Sequence, residues 1–422
     1  MKSNINYVIY ITLLFFLITN NCAYSDDNKD DFLSYESLKA KNGLYSEKTY
    51  LSRLNSLFGK NTGQSGGLVY HPLENILGNN ISLPFNNNID NSKIYISKEI
   101  LNDVENYAKE RNSLALFIWK DGQLVLRSFF NGINQETLIV GRSLAKPISV
   151  MAIGAAINQG YIKSLDQPVS DFISEWKNTK KESILIRHLL DMRSGFLKQG
   201  FSKDPEDILN LAYLHPFHDE IIINEYPLTH KPGTRYDYSN ATSEMVAPLI
   251  ERATGKRYAQ WLSDELISPI EARGGKIWLN REDGMAHSGC CILLPAETFF
   301  KIGLLSHLNG QWKGKKILPT EYINETKKTS PENIWSGLGL YVGEPYKEYK
   351  GYANPEFKNL MRTYHSEPYL AKDLYLFDGN ANQVIYIIPS KNLVIMRLGN
   401  NPPKTKKWDN AYIPNRIMRG MK

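Results

Sequence analysis

The chain has 422 residues, of which 42% are hydrophobic and 11% aromatic, so it is long enough to bury one large core or two joined cores. Its formal net charge is +6, but the lysines are scattered among acidic residues and asparagines, without a basic stripe that interleaves aromatic residues. This distribution is typical of a solvated surface and argues against nucleic acid as a partner.

The first 25 residues predict a secretory signal peptide. Lys2 precedes the apolar stretch YVIYITLLFFLI (7–18), and small residues follow before an acidic run begins at Asp26. The apolar stretch is too short to span a bilayer comfortably, and we expect cleavage near Ser25. Cys22 offers lipid anchoring as an alternative, although Thr19 and the asparagines before the cysteine fit the required small-residue box poorly. We therefore expect a periplasmic or secreted protein that does not insert into a membrane after cleavage.

The cysteine count argues against a disulfide framework. If Cys22 leaves with the signal peptide, only the adjacent pair Cys290 and Cys291 remains. We expect these to be two small residues in a tightly packed strand. A vicinal disulfide in an oxidising compartment is the alternative.

The chain then begins with loops and a hairpin. Residues 26–95 are rich in Asn, Ser, Gly and Lys, and we predict an irregular N-terminal extension that wraps the body. Residues 96–112 have the apolar spacing of a helix. Residues 113–132 predict two strands joined at Asp121-Gly122, a strong hairpin signal.

The middle of the chain is predicted to be mostly helical and the end to return to strands. An apolar helix covers 141–160, and short helices alternate with turns over 161–196. Within 231–270 a helix begins near Ser239, breaks at Gly255 and is followed by a second helix. Residues 374–399 predict another antiparallel hairpin. Strands at both ends therefore predict one sheet built from both ends of the chain, with a helical lobe inserted.

A serine and a lysine on the apolar helix are the first candidate site residues. Ser143 and Lys146 are three positions apart, so their side chains share a helix face. At the first helical turn, backbone N–H groups can stabilise developing negative charge near Ser143. A buried ammonium is costly unless it is paired, and activation of the serine would explain its presence. A second copy of the pattern, Ser174 to Lys177, lies in a polar stretch and is interpreted as a chance match.

Two later segments supply the remaining candidates. Tyr238 and Asn240 lie at a loop-to-helix junction, where the tyrosine could act as a base beside Lys146 and Asn240 could orient the lysine or the substrate. A capped helix start is the alternative, and Tyr322-x-Asn324 repeats the pattern. Gly379, before an expected edge strand, would let a substrate approach the backbone, so that the N–H of Asn380 supplies an oxyanion donor. A bulge or turn glycine is the alternative there.

Together these three elements resemble the serine β-lactamase and penicillin-binding-protein superfamily, and most closely its class C β-lactamase and esterase branch, which includes 6-aminohexanoate-dimer hydrolases. The segments SLDQPVSDFI, IRHLLDMRSGF, KPGTRYDYSN and ATGKRYAQWL are similar to connecting segments of that family and occur in its order. The resemblance implies a mixed α/β (α+β) fold of the β-lactamase/transpeptidase type, an antiparallel sheet flanked by helices. We expect this hydrolase domain over 96–422, with its helical lobe over roughly 143–335.

The same resemblance implies a role for each candidate. Ser143 would be the acylated nucleophile, Lys146 and Tyr238 the proton-transfer pair, and Asn240 the group that positions lysine and substrate. The N–H groups of Ser143 and Asn380 would form the oxyanion hole. No metal or organic cofactor is implied, and the expected partner is a small-molecule ester or amide.

One departure from the family pattern bears on the substrate. Where β-lactamases and penicillin-binding proteins carry Lys-Thr-Gly on the last strand, this chain has Phe377-Asp378-Gly379. An aromatic ring replaces the cation that would meet a penicillin or peptide carboxylate, and an acid follows it. This argues against β-lactam hydrolysis and favours ester or amide hydrolysis. A catalytically silent protein that binds penicillin or peptidoglycan fragments is the alternative function.

Two further patterns suggest other chemistry. GRSLA, around Ser143, loosely fits the nucleophile elbow of an α/β-hydrolase, with Asp283 and His365 as possible partners, but the surrounding pattern lacks a parallel βαβ series. His215 and His218 could suggest a metal site. Pro216 disrupts their helical pairing and no third ligand is evident nearby, so we expect a surface loop there.

Overall fold

The computed structural model describes residues 35–58, 68–85, 96–353, 355 and 363–421. The predicted signal peptide lies outside the described residues. Within the described ranges, none of the helices combines the length and the apolar character that a membrane crossing requires.

In chain order, the strands of the described residues are β1 (Leu73–Ile76), β2 (Ser113–Lys120), β3 (Gln123–Phe129), β4 (Leu138–Val140), β5 (Gly275–Trp278), β6 (Ile292–Pro295), β7 (Gln311–Trp312), β8 (Lys315–Lys316), β9 (Tyr341–Val342), β10 (Tyr349–Lys350), β11 (Thr363–Tyr364), β12 (Tyr375–Gly379), β13 (Gln383–Ile388) and β14 (Leu393–Gly399).

The helices follow in the same order: α1 (Tyr35–Phe58), α2 (Lys98–Lys109), α3 (Ala145–Asn158), α4 (Ile186–Leu190), α5 (Ile208–Leu214), α6 (His218–Asn224), α7 (Asn240–Glu244), α8 (Val246–Thr254), α9 (Tyr258–Leu262), α10 (Ala296–His307), α11 (Thr320–Thr326) and α12 (Tyr412–Arg419). A 3₁₀ turn over Arg142–Leu144 leads directly into α3.

The main sheet is antiparallel throughout and has the strand order β3-β2-β14-β13-β12-β9. Strand β14, near the end of the chain, pairs with β2 from its first third. This confirms the prediction of one sheet built from both ends of the chain. The hairpin between β2 and β3 turns at Asp121 and Gly122, both with positive φ, as its sequence predicts.

A second, smaller sheet has the order β1-β5-β6-β4, and its central strands β5 and β6 lie within the predicted helical lobe. Its outer strand β1 comes from residues 26–95 and pairs with β5. The expectation that this extension is irregular is therefore wrong for α1 and β1. Strands of four residues, such as β1 and β5, are too short for side-chain alternation to reveal them. Arg53 of α1 also donates to the carbonyl oxygens of Leu214 and His71, which ties the extension to the helical lobe.

Helix α3 packs against α8 in the lobe and belongs to the large apolar core, and this position explains why it is apolar on almost every side. Residues 145–156 are all buried. On the opposite face of the main sheet, α2 and α12 cover a second apolar layer that includes Val104 and Ile413. Buried apolar surface contributes about 25 cal/mol per Å² to folding, so both layers hold the sheet in place.

The end of β12 is where sheet and lobe meet. The edge strand β9 pairs only with Tyr375 and Leu376, so the end of β12 at Gly379 has no neighbouring strand on that side within the described residues. Gly379 lies against the turn that precedes α3. An open strand end next to a helix start provides a place where an extended group can lie.

Candidate active site

Ser143 lies in the 3₁₀ turn at the start of α3 and is partly exposed. The preceding residue, Arg142, has a φ of +52°, a conformation that costs a non-glycine residue about 1 kcal/mol or more. Two contacts hold this turn: the Gly141 N–H donates to Ile292 O at 2.8 Å, and Gln383 Nε2 donates to Val140 O at 3.0 Å. The serine is therefore presented by a strained turn that both sheets hold.

Lys146 lies one turn further along and is only 5% exposed. Its Nζ donates to Gly289 O at 2.7 Å and to Asn240 Oδ1 at 2.9 Å, and it lies 3.5 Å from Ser143 Oγ. Both close partners are acceptors, so the buried amine retains the polar contacts that offset its loss of water.

Tyr238 completes the group that surrounds the serine. Its hydroxyl is 2.7 Å from Ser143 Oγ, and Lys146 Nζ lies 4.8 Å from the centre of its ring. Gln199 secures the loop, since its N–H donates to Tyr238 O and its side-chain oxygen accepts from the Asn240 N–H, both at 2.8 Å. The structure thus brings together Ser143, Lys146, Tyr238 and Asn240. Gln199 carries no motif, and the sequence analysis did not identify it.

Gly379 and Asn380 lie beside the same turn. A Cβ atom at Gly379 would be 3.1 Å from Gly141 O and 3.3 Å from Leu144 N, so only glycine brings β12 this close. The glycine ends strand β12 rather than preceding an edge strand, and β12 is second from the edge. Asn380 is exposed in the following turn, and its N–H donates to no described residue.

The two residues before this glycine, Phe377 and Asp378, have the reverse of their expected orientations. Phe377, expected to replace a substrate-facing cation, is 2% exposed and belongs to the core that includes α3. Its neighbour Asp378 points to the other face of β12 and lines the cavity at Ser143. Burial raises the pKa of Asp378 to about 7. An acid, rather than an aromatic ring, therefore lines the cavity at Ser143.

The cavity beside the serine combines candidate catalytic side chains with aromatic side chains. Its lining consists of Ser143, Lys146, Leu190, Met192, Tyr236, Tyr238, Ser336, Gly339, Tyr341 and Asp378. Gly339 and Tyr341 come from the segment GLGLYVG (337–343), so part of that segment lines the pocket.

The expected surface loop at His215 and His218 is wrong, because both side chains are buried, at 2% and 0% exposure. His218 Nε2 lies 3.8 Å from a carboxylate oxygen of Glu244, and His287 Nδ1 lies 3.5 Å from the other. These three residue types can ligate metals, and their side-chain nitrogen and oxygen atoms have no hydrogen-bond partner among the described residues. Helix α7 and the segment before β6 supply the partners that the local pattern around His218 does not show.

The arrangement of the two rings decides what this cluster can do. The imidazoles of His218 and His287 are stacked, with centroids 4.2 Å apart and planes 8° from parallel. A metal ion binds in the plane of an imidazole, and nearly parallel stacked planes share no point within bonding distance. As arranged, the cluster is therefore not a chelate. Burial raises the pKa of the Glu244 carboxyl group beside the rings to about 6.

Cys290 and Cys291 are joined by a disulfide, which corrects the expectation of two unlinked small residues. Both are buried, as expected, and the Tyr213 hydroxyl lies 3.2 Å from Cys290 Sγ. The pair directly follows Gly289, whose carbonyl oxygen accepts the hydrogen bond from Lys146. The disulfide therefore lies in the segment that positions the lysine.

The α/β-hydrolase alternative does not fit the structure. Both principal sheets are antiparallel, whereas that fold needs a parallel series. His365 is fully buried, and its Nε2 lies 3.1 Å from Tyr369 Oη and 3.3 Å from Tyr352 Oη. Ser143 is instead in contact with Tyr238 and Lys146. The imidazole that an elbow serine requires is therefore occupied elsewhere.

Comparison with known proteins finds similarity to the family that the sequence motifs resemble. Residues 101–287 match the family model described as Beta-lactamase, a range that contains Ser143, Lys146, Tyr238 and Asn240. Protein flp of Staphylococcus aureus strain MW2 is 28% identical over 134 residues, which are 31% of this chain and 26% of that protein. The chain thus spans about a quarter of the length of this curated relative.

Solved structures share the fold over most of the chain. A candidate 6-aminohexanoate-dimer hydrolase from Bacillus anthracis is 20% identical and has a TM-score of 0.59, covering 86% of this chain and 92% of that one. EstCE1, a hydrolase with promiscuous acyltransferase activity, is 15% identical with a TM-score of 0.56, covering 76% and 98%. An octameric penicillin-binding protein homologue from Pyrococcus abyssi is 17% identical with a TM-score of 0.53, covering 76% of each chain.

The family match covers β2, β3 and most of the helical lobe, and the shared fold extends over most of the chain, including the sheet that carries Gly379. Both agree with the resemblance drawn from the sequence motifs. Residues 101–287 are therefore similar to the Beta-lactamase family, and the chain has the fold of the serine β-lactamase and penicillin-binding-protein-like superfamily.

Proposed function

We propose that the protein is a serine hydrolase that cleaves an ester or amide bond through an acyl-enzyme on Ser143. The observation that carries this proposal is the 2.7 Å contact between Ser143 Oγ and Tyr238 Oη, with Lys146 Nζ 3.5 Å from the same oxygen. A nucleophile within hydrogen-bond distance of a base that a third group orients is the arrangement that acyl transfer requires.

The distances favour Tyr238 as the group that takes the serine proton. Lys146 Nζ is closer to Gly289 O and Asn240 Oδ1 than to Ser143 Oγ, so its shortest hydrogen bonds hold it in place. Its amine can then stabilise a developing phenolate on Tyr238 across the 4.8 Å between Nζ and the ring centre.

The remaining steps follow the usual order of acyl transfer. Ser143 Oγ forms a bond to the carbonyl carbon, and the N–H groups of Ser143 and Asn380 stabilise the oxyanion. Collapse of the tetrahedral intermediate breaks the bond to the alcohol or amine, which takes the proton from Tyr238. Water then attacks the acyl-enzyme and releases the acid, and Ser143 regains its proton. We further propose that this chemistry takes place in the periplasm or outside the cell.

Intact-protein mass spectrometry after treatment with a fluorophosphonate tests the proposal. We expect one adduct, mapped to Ser143, and no adduct on the Ser143→Ala variant. The matched control is Ser174→Ala, which removes the serine of the second Ser-x-x-Lys pattern, and this variant should react like the wild type. Tyr238→Phe should slow the reaction by about 10²-fold to 10⁴-fold, as loss of a general base does.

Two outcomes would contradict the proposal. A folded protein that forms no adduct would favour the silent binding protein, and a near-normal rate in Tyr238→Phe would remove the tyrosine from the mechanism. A parallel incubation with penicillin addresses the substrate class, since we expect no penicilloyl adduct. A lasting adduct would move the assignment toward a penicillin-binding enzyme or sensor.

A further inference from the structure

The disulfide that joins Cys290 to Cys291 lies between two backbone contacts of the active site. Directly before it, Gly289 O accepts the hydrogen bond from Lys146 Nζ at 2.7 Å. Directly after it, Ile292 O accepts a hydrogen bond at 2.8 Å from the backbone N–H at the start of the serine turn. Both contacts therefore depend on how the backbone runs through the cysteine pair.

The backbone at Cys291 adopts a conformation that residues with a Cβ atom disfavour, since its φ is +68°. The disulfide closes a small ring through the peptide bond between the two cysteines, so it restricts backbone rotation there. The flanking backbone is held, because Ser149 Oγ donates to Ser288 O at 2.7 Å and the Trp278 N–H donates to Cys291 O at 3.2 Å. Opening the ring therefore frees rotation mainly within the short segment that carries Gly289 O.

The two sulfur atoms are buried, but few side chains separate them from solvent. Cys290 and Cys291 are 5% and 2% exposed. Tyr213 Oη lies 3.2 Å from Cys290 Sγ and 3.6 Å from Cys291 Sγ, and its ring packs on that of Phe201, which is 41% exposed. A dithiol can reach the bond when these two rings move, and the Tyr213 hydroxyl can donate a hydrogen bond to the thiolate that leaves.

We propose that this disulfide is a redox switch that positions Lys146 and the turn of Ser143, so that the closed form is active and reduction by a dithiol slows acylation. A thiolate of the dithiol bonds to Cys290 Sγ, and the S–S bond breaks to leave a thiolate on Cys291. The second thiol of the reductant then displaces Cys290. Two electrons and two protons pass to the cysteine pair, and the reductant becomes a cyclic disulfide. The inference rests on the proposed function for its kinetic test.

The second-order rate constant for labelling of Ser143 by a fluorophosphonate measures the switch. It is compared in the oxidised protein, in protein reduced with dithiothreitol, and in protein reoxidised after the reagent is removed. We expect the rate to fall by about tenfold to a hundredfold on reduction, because a misplacement of about 1 Å in an active site costs about 10²-fold, and to recover on reoxidation. Trapping with N-ethylmaleimide, read by mass spectrometry, shows that both thiols are free in the folded, reduced sample.

Two variants without the disulfide differ by one methyl group and test the role of the backbone. Cys290→Ala/Cys291→Ala should label as slowly as the reduced wild type, because alanine disfavours a positive φ. Cys290→Ala/Cys291→Gly should recover most of the lost rate, because glycine adopts a positive φ readily. Neither variant should respond to dithiothreitol, which controls for other effects of the reagent. Thermal unfolding on the same samples identifies a variant that fails to fold, and the comparison within the wild type then decides alone.

Three results would overturn the inference: a bond that dithiothreitol does not open in the folded protein, equal labelling of the oxidised and reduced forms, or equal rates in the two folded variants. Hydrogen–deuterium exchange separates this failure from failure of the proposed function, because it needs no reaction at Ser143. The peptide that contains Gly141 is measured in both redox states. Faster exchange after reduction supports the switch even if no labelling occurs, and unchanged exchange refutes it.

Discussion

A single methyl group at Gly379 should impair the active site without unfolding the protein. The Cβ atom of alanine would lie 3.1 Å from Gly141 O, 3.1 Å from Leu144 Cγ and 3.3 Å from Leu144 N. Ordinary contacts of this kind begin at 3.4 Å, so β12 and the serine turn must separate by a few tenths of an ångström. One proposed oxyanion donor lies on each side of this gap. Gly379→Ala should therefore widen the proposed oxyanion hole itself.

The expected magnitude follows from the contribution of such donors. Removing one oxyanion donor costs about 10²-fold to 10³-fold in rate, and Gly379→Ala moves a donor rather than deleting it. We expect the rate to fall by about tenfold to a hundredfold, or about 1.4 to 2.7 kcal/mol of transition-state stabilisation. Overpacking at one position costs about 1–3 kcal/mol of folding stability, which a chain of this size should tolerate.

The assay is the second-order rate constant for labelling of Ser143 by a fluorophosphonate, because the phosphoryl oxygen also gains negative charge in the oxyanion hole. Thermal unfolding is measured on the same samples. Gly343→Ala is the matched control, since its Cβ would be 2.9 Å from Tyr369 and 3.1 Å from Leu374 O, away from Ser143. It should lose similar stability and label normally. Wild-type labelling of Gly379→Ala, or equal slowing in both variants, would refute the reasoning.

Two further predictions concern stability. Ala381, in the turn after β12, has a φ of +70°, so Ala381→Gly should stabilise the protein by about 1 kcal/mol in urea denaturation, and a loss of stability would contradict this. Burial lowers the pKa of six histidines, four of which are almost fully buried, so the unfolded chain binds protons that the folded chain does not bind, and stability should fall as the pH drops from 7.5 to 5.0. Each of these four should lower the free energy of unfolding by about 2 kcal/mol at pH 5. Glu244 and Asp378 act in the opposite direction, because burial raises their pKa values to about 6 and about 7, and together they should raise the free energy of unfolding by roughly 4 kcal/mol over the same pH range. Urea denaturation that shows constant or rising stability toward pH 5 would refute this sign. The four almost fully buried histidines are His215, His218, His287 and His365.

The local sequence was sufficient to predict the helix start at which Ser143 and Lys146 lie. The spacing of Ser143 and Lys146 places them on one helix face whatever surrounds the helix, since positions three apart are always neighbours. The two hairpins were also predictable, because turn residues and strand-forming side chains act over a few residues. The fold class followed from these elements and the order of the motifs.

Tertiary structure decided the features that depend on distant segments. Phe377 faces the core and Asp378 faces the cavity, which reverses the expected orientation. The position of the core decides which face of β12 is buried. The burial of His218 beside Glu244 and His287 depends on packing between elements more than 20 residues apart, which no local pattern records. The sequence by itself determined which groups are available for the proposed acyl transfer. The packing of sheet against lobe decided that Asp378 rather than Phe377 lines the cavity at Ser143, because the face that a strand turns toward a cavity is set by its neighbours in space.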